Sequence, residues 1–259
     1  MKILISNDDG IFATGVRTLA NTLAVSHQVT VVCPDRERSA TGHALTLHKP
    51  LRADPVSEGY APSIRAWACS GTPSDCVKLG LDGLMSERPD WVVSGINHGS
   101  NLGTDVLYSG TVSAAMEGYL EGIPSMAVSL ASSASPDFSS AATVVQQLLQ
   151  KLQADPLSNL TLLNVNIPAG TPEERRGMVL VPLGIRKYRD IYEKRLDPRG
   201  KTYYWLAGEA VDEEVTPNSD IQALLEQFVT ITPLQPDLSD RQSFAMLTDW
   251  GLSGLAAEC

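Results

Sequence analysis

The sequence predicts an α/β fold in which helices cover both faces of a doubly wound, mostly parallel sheet. Short apolar runs alternate with helical patterns over roughly the first 165 residues of the 259-residue chain. Apolar runs that lack polar alternation are typical of strands covered on both faces. The regular exchange of strand and helix indicates βαβ units, in which ligands bind at the carboxyl ends of the strands.

The predicted strands of this region are short, apolar and rich in β-branched residues. They are residues 2–6, 28–33, 64–69, 91–94, 125–130 and 160–165.

The predicted helices lie between these strands, at 14–25, 73–85, 111–121 and 136–153. In the first helix Val16, Leu19 and Leu23 recur on one face, which is the spacing of an amphipathic helix. The second and fourth helices are each opened by a proline, a residue suited to the first helical turn.

The character of the chain changes after about residue 170. Residues 171–177 are a polar connection, and residues 186–216 are charged and rich in tyrosine, arginine and glutamate. Arg199-Gly200 lies between two predicted hairpin arms, and a last strand is predicted at 228–232. A helical pattern follows at 239–257. The exposed aromatic residues of this part suit contacts between subunits.

Composition and charge limit the class of function. The formal charge is −10, from 30 acidic and 20 basic residues, which argues against a nucleic-acid groove. An anionic ligand would therefore need a local cation. The longest apolar runs fall short of the about 18 residues of a membrane span, and no targeting signal opens the sequence. Together with four cysteines that form no C-x-x-C pair, this predicts a cytoplasmic protein.

The sharpest local motif is Asn7-Asp8-Asp9-Gly10, at the end of the first predicted strand. Two adjacent carboxylates repel each other unless a cation lies between them, which indicates a metal site. The same residues also suit an Asx-rich β-turn without a metal.

A second motif is the glycine-rich run from Ser94 to Asp105, which follows the strand at 91–94. Its backbone N–H groups and side-chain amides could bind an anion or lend a carbonyl oxygen to a metal. A structural glycine loop without a ligand explains the same residues.

A third motif is Ser109-Gly110-Thr111, directly before an alanine-rich helix. Free N–H groups, the helix dipole and two hydroxyls would bind a phosphate there. A plain helix N-cap is the alternative.

Taken together, these segments resemble the SurE family (survival protein E) of metal-dependent 5'-nucleotidases. The resemblance runs from residue 1 to about 235 through ordered motifs of this chain. These include Ile5–Gly10, Pro34-Asp35-Arg36 with Ser39, Gly71–Val77, Val92–Asn97, Gly99–Gly103, Tyr108–Val112, Leu163–Pro168 and Asp197–Gly200.

The resemblance implies a Rossmann-like catalytic region over residues 1–170. It also implies that residues 171–259 of the same domain hold a protruding β-hairpin and a C-terminal segment exchanged between subunits. A homodimer or homotetramer is therefore expected.

The family's metal site, carried over residue by residue, implies Asp8, Asp9, Ser39 and Asn97 as ligands of one divalent ion. All four offer oxygen, which suits Mg²⁺ or Mn²⁺ better than zinc. The implied phosphate-binding residues are Asn7, Asn101, Ser109, Gly110 and Thr111.

The expected activity is hydrolysis of nucleoside 5'-monophosphates, with 3'-monophosphates and short polyphosphate as further candidate substrates. The expected nucleophile is a water bound to the metal and oriented by Asp8 or Asp9. Direct attack by an aspartate is the alternative. Two rival functions stay open at this point: a metal-dependent acyl or glycosyl hydrolase, and a cation or nucleotide sensor without turnover.

Overall fold

A computed structural model describes residues 1–131, 136–186, 188–210, 216–248 and 250 of the chain. Its centre is a nine-stranded sheet with the strand order β3-β4-β2-β1-β5-β6-β7-β11-β8, and a separate hairpin pairs β9 with β10. The strands are β1 Lys2–Ser6, β2 Gln28–Pro34, β3 Ala53–Val56, β4 Arg65–Cys69, β5 Trp91–His98, β6 Ser125–Leu130, β7 Leu162–Ile167, β8 Met178–Leu180, β9 Tyr188–Leu196, β10 Thr202–Ala210 and β11 Val229–Leu234.

The helices lie mainly between the strands of the first half of the chain. They are α1 Thr14–Leu23, α2 Pro73–Leu79, α3 Gly110–Leu120, α4 Phe138–Ala154, α5 Asp220–Leu225 and α6 Arg241–Thr248. In the described part of the chain, none of them is long and apolar enough to cross a membrane.

The predicted doubly wound, mostly parallel sheet is confirmed. β4, β2, β1, β5, β6 and β7 run parallel to one another in the centre of the sheet. β3 and β11 join it antiparallel to β4 and β7, respectively. The carboxyl ends of the six central strands therefore lie along one edge.

Alternating side chains of β1 show how the two faces of the sheet are covered. Ile3 and Ile5 pack in the large core cluster that includes the buried faces of α1 and α4. Leu4 points the other way and packs with Val77 of α2 and Ala114 of α3. This alternation follows from the period of two in a strand, and it explains why each strand is apolar throughout.

The predicted elements of the first half are present, with shifts at their ends. The strand predicted at 91–94 extends to His98, and its pairing with β6 changes register between Ser94 and Asn97. The helix predicted at 73–85 ends at Leu79, and a wider turn over Gly80–Leu84 follows it. A glycine at each of positions 80 and 83 weakens the helix at this point.

The hairpin predicted around Arg199-Gly200 is confirmed as β9 and β10. Of the helical stretch predicted at 239–257, residues 241–248 form α6, while residue 249 and residues 251–259 lie outside the described residues. The strands β3 and β8 and the helix α5 were not predicted. β3 and β8 have four and three residues, too few for a clear hydrophobic pattern.

Candidate active site

The Asp8–Asp9 pair lies directly after β1, at the carboxyl edge of the sheet. Asn7 shapes the turn: its Nδ2 donates to the Gly10 carbonyl at 3.0 Å, and its Oδ1 accepts from the Gly10 N–H at 3.2 Å. Gly10 has a φ of +96°, and a Cβ there would lie 3.0 Å from the Arg36 carbonyl carbon. The Asx turn expected as the alternative to a metal site therefore exists, and it presents both carboxylates.

Asp8 is held against the N-terminus of α3. The Thr111 hydroxyl donates to Asp8 Oδ1, and both side chains are buried. A Cβ at Gly110 would lie 2.7 Å from the Asp8 Cβ and 2.9 Å from its Oδ2. Glycine is therefore required at position 110 for the helix to approach the carboxylate this closely.

The pKa values of both aspartates are raised. Burial raises the pKa of Asp8, and hydrogen bonds from Thr111 offset part of this effect. Burial and then the negative charge of Asp8 raise the pKa of Asp9 to about 6. Two ionised carboxylates are thus costly here without a positive charge nearby.

The loop after β2 brings Ser39 to the same edge. The Arg38 N–H donates to the Asp8 carbonyl at 2.7 Å, and the Arg38 guanidinium donates to the Ser70 carbonyl at 2.9 Å. The Ser39 hydroxyl donates to Glu37 Oε1 at 2.6 Å. Glu37 was not predicted as a site residue, yet its charge contributes to raising the pKa of both Asp8 and Asp9.

Asn97 comes from the irregular end of β5. The His98 N–H reaches Asp9 Oδ2 at 3.4 Å, which places this strand end beside the aspartates. The Asn97 Nδ2 donates to the Gly99 carbonyl at 2.8 Å. The Asn97 Oδ1 takes no part in this hydrogen bond. An oxygen donor is the role predicted for Asn97.

The glycine-rich loop is fixed at Asn101 by the ends of two strands. The Asn101 N–H donates to Asn166 Oδ1 at 2.8 Å, and its Nδ2 donates to Ser129 Oγ at 2.8 Å. Its carbonyl accepts from Asn164 and Asn166 at 2.8 and 3.0 Å. The polar residues of β7 therefore hold the loop in place, a role that local patterns in the sequence did not reveal.

Ser109 is the N-cap of α3. Its Oγ accepts from the Val112 N–H at 3.1 Å, as the alternative interpretation of this motif expected. A helix N-cap and a phosphate site are compatible at this position, because the positive end of the α3 dipole still faces the space beside Asp8.

The donor set is consistent with a hard divalent cation. Among the described residues, no three His, Cys, Asp or Glu side chains are placed so that they could hold a metal ion. A metal here would depend on the two carboxylates together with the hydroxyl and amide oxygens of Ser39 and Asn97. Oxygen-only sets of this kind suit Mg²⁺ or Mn²⁺.

Comparisons with known proteins show which family the chain is similar to. A family model described as Survival protein SurE matches residues 3–190, a range that contains every predicted site residue. A relative from Synechococcus sp. (strain JA-3-3Ab), named 5'-nucleotidase SurE, is 69% identical over 98% of this chain and 98% of its own. A relative of the same name from Crocosphaera subtropica is 60% identical over 95% of this chain and 93% of its own.

A solved structure has the same fold. The crystal structure of the Sure protein from Aquifex aeolicus superimposes with a TM-score of 0.83 at 37% sequence identity. The match covers 97% of this chain and 100% of the other.

Proposed function

The chain belongs to the survival protein SurE family, and from this we propose that it is a metal-dependent 5'-nucleotidase. It releases phosphate from nucleoside 5'-monophosphates, with 3'-monophosphates and short polyphosphate as further candidate substrates. The observation that carries the proposal is the contact between Asp8, the first carboxylate of the pair, and the N-terminus of α3. A cation site and a positive helix end each favour a bound phosphate, and here they lie together.

One divalent ion, Mg²⁺ or Mn²⁺, would be held by Asp8, Asp9, Ser39 and Asn97. When bound, the ion supplies positive charge that attracts the phosphate and neutralises charge developing on it. The raised pKa values of Asp8 and Asp9 support this assignment, because burial and their mutual repulsion make two ionised carboxylates costly until a cation offsets them.

The remaining phosphate oxygens would be bound by Asn101, Ser109, Gly110 and Thr111. Backbone N–H groups and the dipole of α3 favour a dianion at this position. Asn7 contributes by shaping the turn that presents the aspartates, since both polar atoms of its side-chain amide bind Gly10.

The two aspartates have different tasks in the proposed reaction. Thr111 holds Asp8 in one orientation, whereas Asp9 is less buried and has a pKa of about 6. The less buried Asp9 carboxylate is the one that would orient a water molecule and accept its proton. Attack by an aspartate oxygen would instead form a phospho-enzyme, which acid quenching during turnover would trap.

We also propose that the protein is a cytoplasmic homodimer or homotetramer. The hairpin exposes large apolar side chains, among them Tyr192, Trp205 and Leu206, each at least 59% exposed. An exposed apolar surface of this kind supports subunit contact. The free, buried thiols of Cys33, Cys69 and Cys76 suit a reducing compartment. Light scattering of the purified protein would measure the assembly.

The deciding experiment measures phosphate release from 5'- and 3'-nucleoside monophosphates, p-nitrophenyl phosphate and short polyphosphate. Each substrate is tested with EDTA, Mg²⁺ or Mn²⁺. We expect release that requires the metal and is fastest with one or more 5'-monophosphates. Asp8→Asn should lower kcat by at least about a hundredfold, because it removes one of the two charges at the reacting centre.

The matched control is Asp54→Asn, which changes an exposed aspartate on the edge strand β3. It should keep wild-type turnover. Folded wild-type protein that binds nucleotide but releases no phosphate with either metal would contradict the proposal and favour a sensor.

A further inference from the structure

The loop after β2 brings a third carboxylate to the aspartate pair. The Ser39 hydroxyl donates to Glu37 Oε1 at 2.6 Å, and both residues are exposed. The metal and phosphate assignments do not include Glu37, although it contacts one of the four proposed metal ligands.

Backbone contacts fix this loop on both sides of Ser39. The Arg38 N–H donates to the Asp8 carbonyl at 2.7 Å. The Gly42 N–H donates to the Tyr108 carbonyl at 3.2 Å, just before the start of α3. The segment that carries the hydroxyl is therefore tied to both the aspartate turn and α3.

The hydrogen bond with Glu37 determines which part of the Ser39 hydroxyl is left for a cation. A serine hydroxyl has one proton and two lone pairs, and its proton rotates to suit its neighbours. Because the proton is directed at Glu37, the lone pairs of Ser39 Oγ stay free. A carboxylate that accepts a proton from a metal ligand also makes that ligand more basic. The neutral hydroxyl thereby becomes a better ligand for a cation.

The charge of Glu37 acts in the same direction. Within the described ranges of the chain Glu37 forms no ion pair, since the neighbouring Arg38 pairs with Asp35 at 3.7 Å. Its charge contributes to raising the pKa of both Asp8 and Asp9, which shows that it lies within electrostatic reach of them. Three carboxylates repel one another without a cation, and all three attract a cation placed among them.

We propose that Glu37 is a positioning residue of the metal site: it accepts the Ser39 hydroxyl proton in a hydrogen bond and thereby leaves the oxygen free to bind the ion. The inference rests on the proposed function and extends it from the metal ligands to the group that orients one of them. Glu37 acts through Ser39 and does not itself coordinate the ion.

Mn²⁺ binding, measured by isothermal titration calorimetry without nucleotide, tests this role. Glu37→Ala should raise the Kd for Mn²⁺ about 10- to 100-fold, the range typical of groups that orient metal ligands. Glu37→Gln keeps a neutral acceptor, so its Kd should lie between those of the wild type and Glu37→Ala. Glu58→Gln, the matched control, removes an exposed carboxylate elsewhere and should leave the Kd unchanged. A wild-type Kd in Glu37→Ala would overturn the proposal.

A double-mutant cycle shows whether Glu37 acts through Ser39. In a Ser39→Ala protein the hydroxyl is absent, so the further change Glu37→Ala should raise the Kd by less than about threefold. An equal rise in both backgrounds would mean that Glu37 binds the ion directly or acts by its charge alone. Either result would overturn the positioning role.

Thermal unfolding distinguishes this role from a merely structural one. In EDTA, Glu37→Ala should unfold at the wild-type temperature or slightly above it, because one repulsive charge is removed. The rise in the thermal midpoint on adding Mn²⁺ should be smaller than in the wild type. A lower midpoint in EDTA together with an unchanged rise would indicate a structural role and contradict the proposal.

The same measurements separate this inference from the nucleotidase proposal. If the wild type binds Mn²⁺ but releases no phosphate, the nucleotidase proposal fails and the Kd values still decide on Glu37. If the wild type is active and Glu37→Ala binds Mn²⁺ equally well, only the role of Glu37 fails. A wild type that binds no Mn²⁺ would overturn the metal site and the role of Glu37 together.

Discussion

Position 110 sets the distance between Asp8, the proposed catalytic carboxylate, and helix α3. The absence of a Cβ allows α3 to approach Asp8, and the Thr111 hydroxyl then holds the carboxylate in place. The site therefore depends on one missing side chain as much as on the carboxylates themselves.

Gly110→Ala should abolish most activity without unfolding the protein. The new methyl group would displace Asp8, and a displacement of about 1 Å can cost a hundredfold in rate. Overpacking of a buried site costs about 1–3 kcal/mol, which corresponds to a fall of about 2–12 °C in the thermal midpoint. We expect kcat to fall at least about a hundredfold in a protein that is less stable but still folded. A normal kcat would show that Asp8 tolerates the shift.

Gly83→Ala is the control for this substitution. Its Cβ would meet only the end of the Leu79 side chain, at 3.0 Å, far from the aspartates. Activity should not change.

Glu117 gives the protein a predictable response to acid. This carboxylate is buried and binds His43 at 2.6 Å and Lys78 at 3.0 Å, while Lys78 also pairs with Glu121. The hydrogen bond from His43, with a further contribution from Lys78, lowers the pKa of Glu117. Because the pKa of Glu117 is lower in the folded than in the unfolded protein, its ionised carboxylate stabilises the fold at pH values above the unfolded pKa of about 4.5. This stabilisation is lost as the pH falls through the folded-state pKa.

Glu117→Gln should therefore reduce the free energy of unfolding at pH 7 by about 1–3 kcal/mol. It should also weaken the loss of stability that the wild type shows as the pH falls below about 4.5. Urea denaturation at four pH values measures both effects, and Glu58→Gln, an exposed carboxylate, is the control. If the variant loses stability in acid as steeply as the wild type, Glu117 is not the group responsible.

At the scale of elements, the short helix α5 fastens two loops to the sheet edge. Asp220 is fully buried, and its carboxylate accepts from the Gly103 N–H at 2.8 Å and the Gly184 N–H at 2.7 Å. Gly103 ends the loop that carries Asn101, and Gly184 lies two residues before Arg186. One carboxylate thus fastens both the loop that carries Asn101 and the segment that leads into β9.

Asp220→Ala should lower the free energy of unfolding by about 2–5 kcal/mol, since two buried N–H groups lose their acceptor. Hydrogen exchange should accelerate at Gly103 and Gly184 more than in β1. Asp220→Asn keeps one acceptor oxygen, so its free energy of unfolding should lie between those of the wild type and Asp220→Ala. Uniform acceleration across the sheet would instead indicate general destabilisation.

Much of this arrangement could be predicted from sequence, and the limits have physical causes. The Asp8–Asp9 turn and the α3 cap are local, so short motifs revealed them. The contact of Asp8 with Thr111 spans 103 positions, and that of Gly103 with Asp220 spans 117. Residues so far apart in the sequence leave no short motif from which their contact could be predicted. Glu37 was missed because an exposed loop carboxylate looks like any other until the fold places it near the aspartates.

At the scale of the whole molecule, the metal should couple the site to stability. Ligands that bind only the folded state stabilise it, by about 2.7 kcal/mol at a hundredfold excess over Kd. For a chain of this size, that corresponds to a rise of about 5–10 °C in the thermal midpoint. We expect EDTA to lower the midpoint of the wild type and Mg²⁺ or Mn²⁺ to restore it.

Asp8→Asn should show a much smaller shift with metal, whereas Asp54→Asn should respond like the wild type. Calorimetry in EDTA and in each metal measures the difference. Equal shifts in all three proteins would place the stabilising ion elsewhere.

The two edges of the nine-stranded sheet also determine how copies of this protein can meet. β3 has four residues with the exposed Pro55 among them, and β8 has three. Proline offers no N–H, and short strands offer few pairing groups, so neither edge is a good template for a further strand. Edge-to-edge pairing of the nine-stranded sheets of two copies is therefore disfavoured, and the longer strands β9 and β10 of the hairpin offer the better edges for contact between copies.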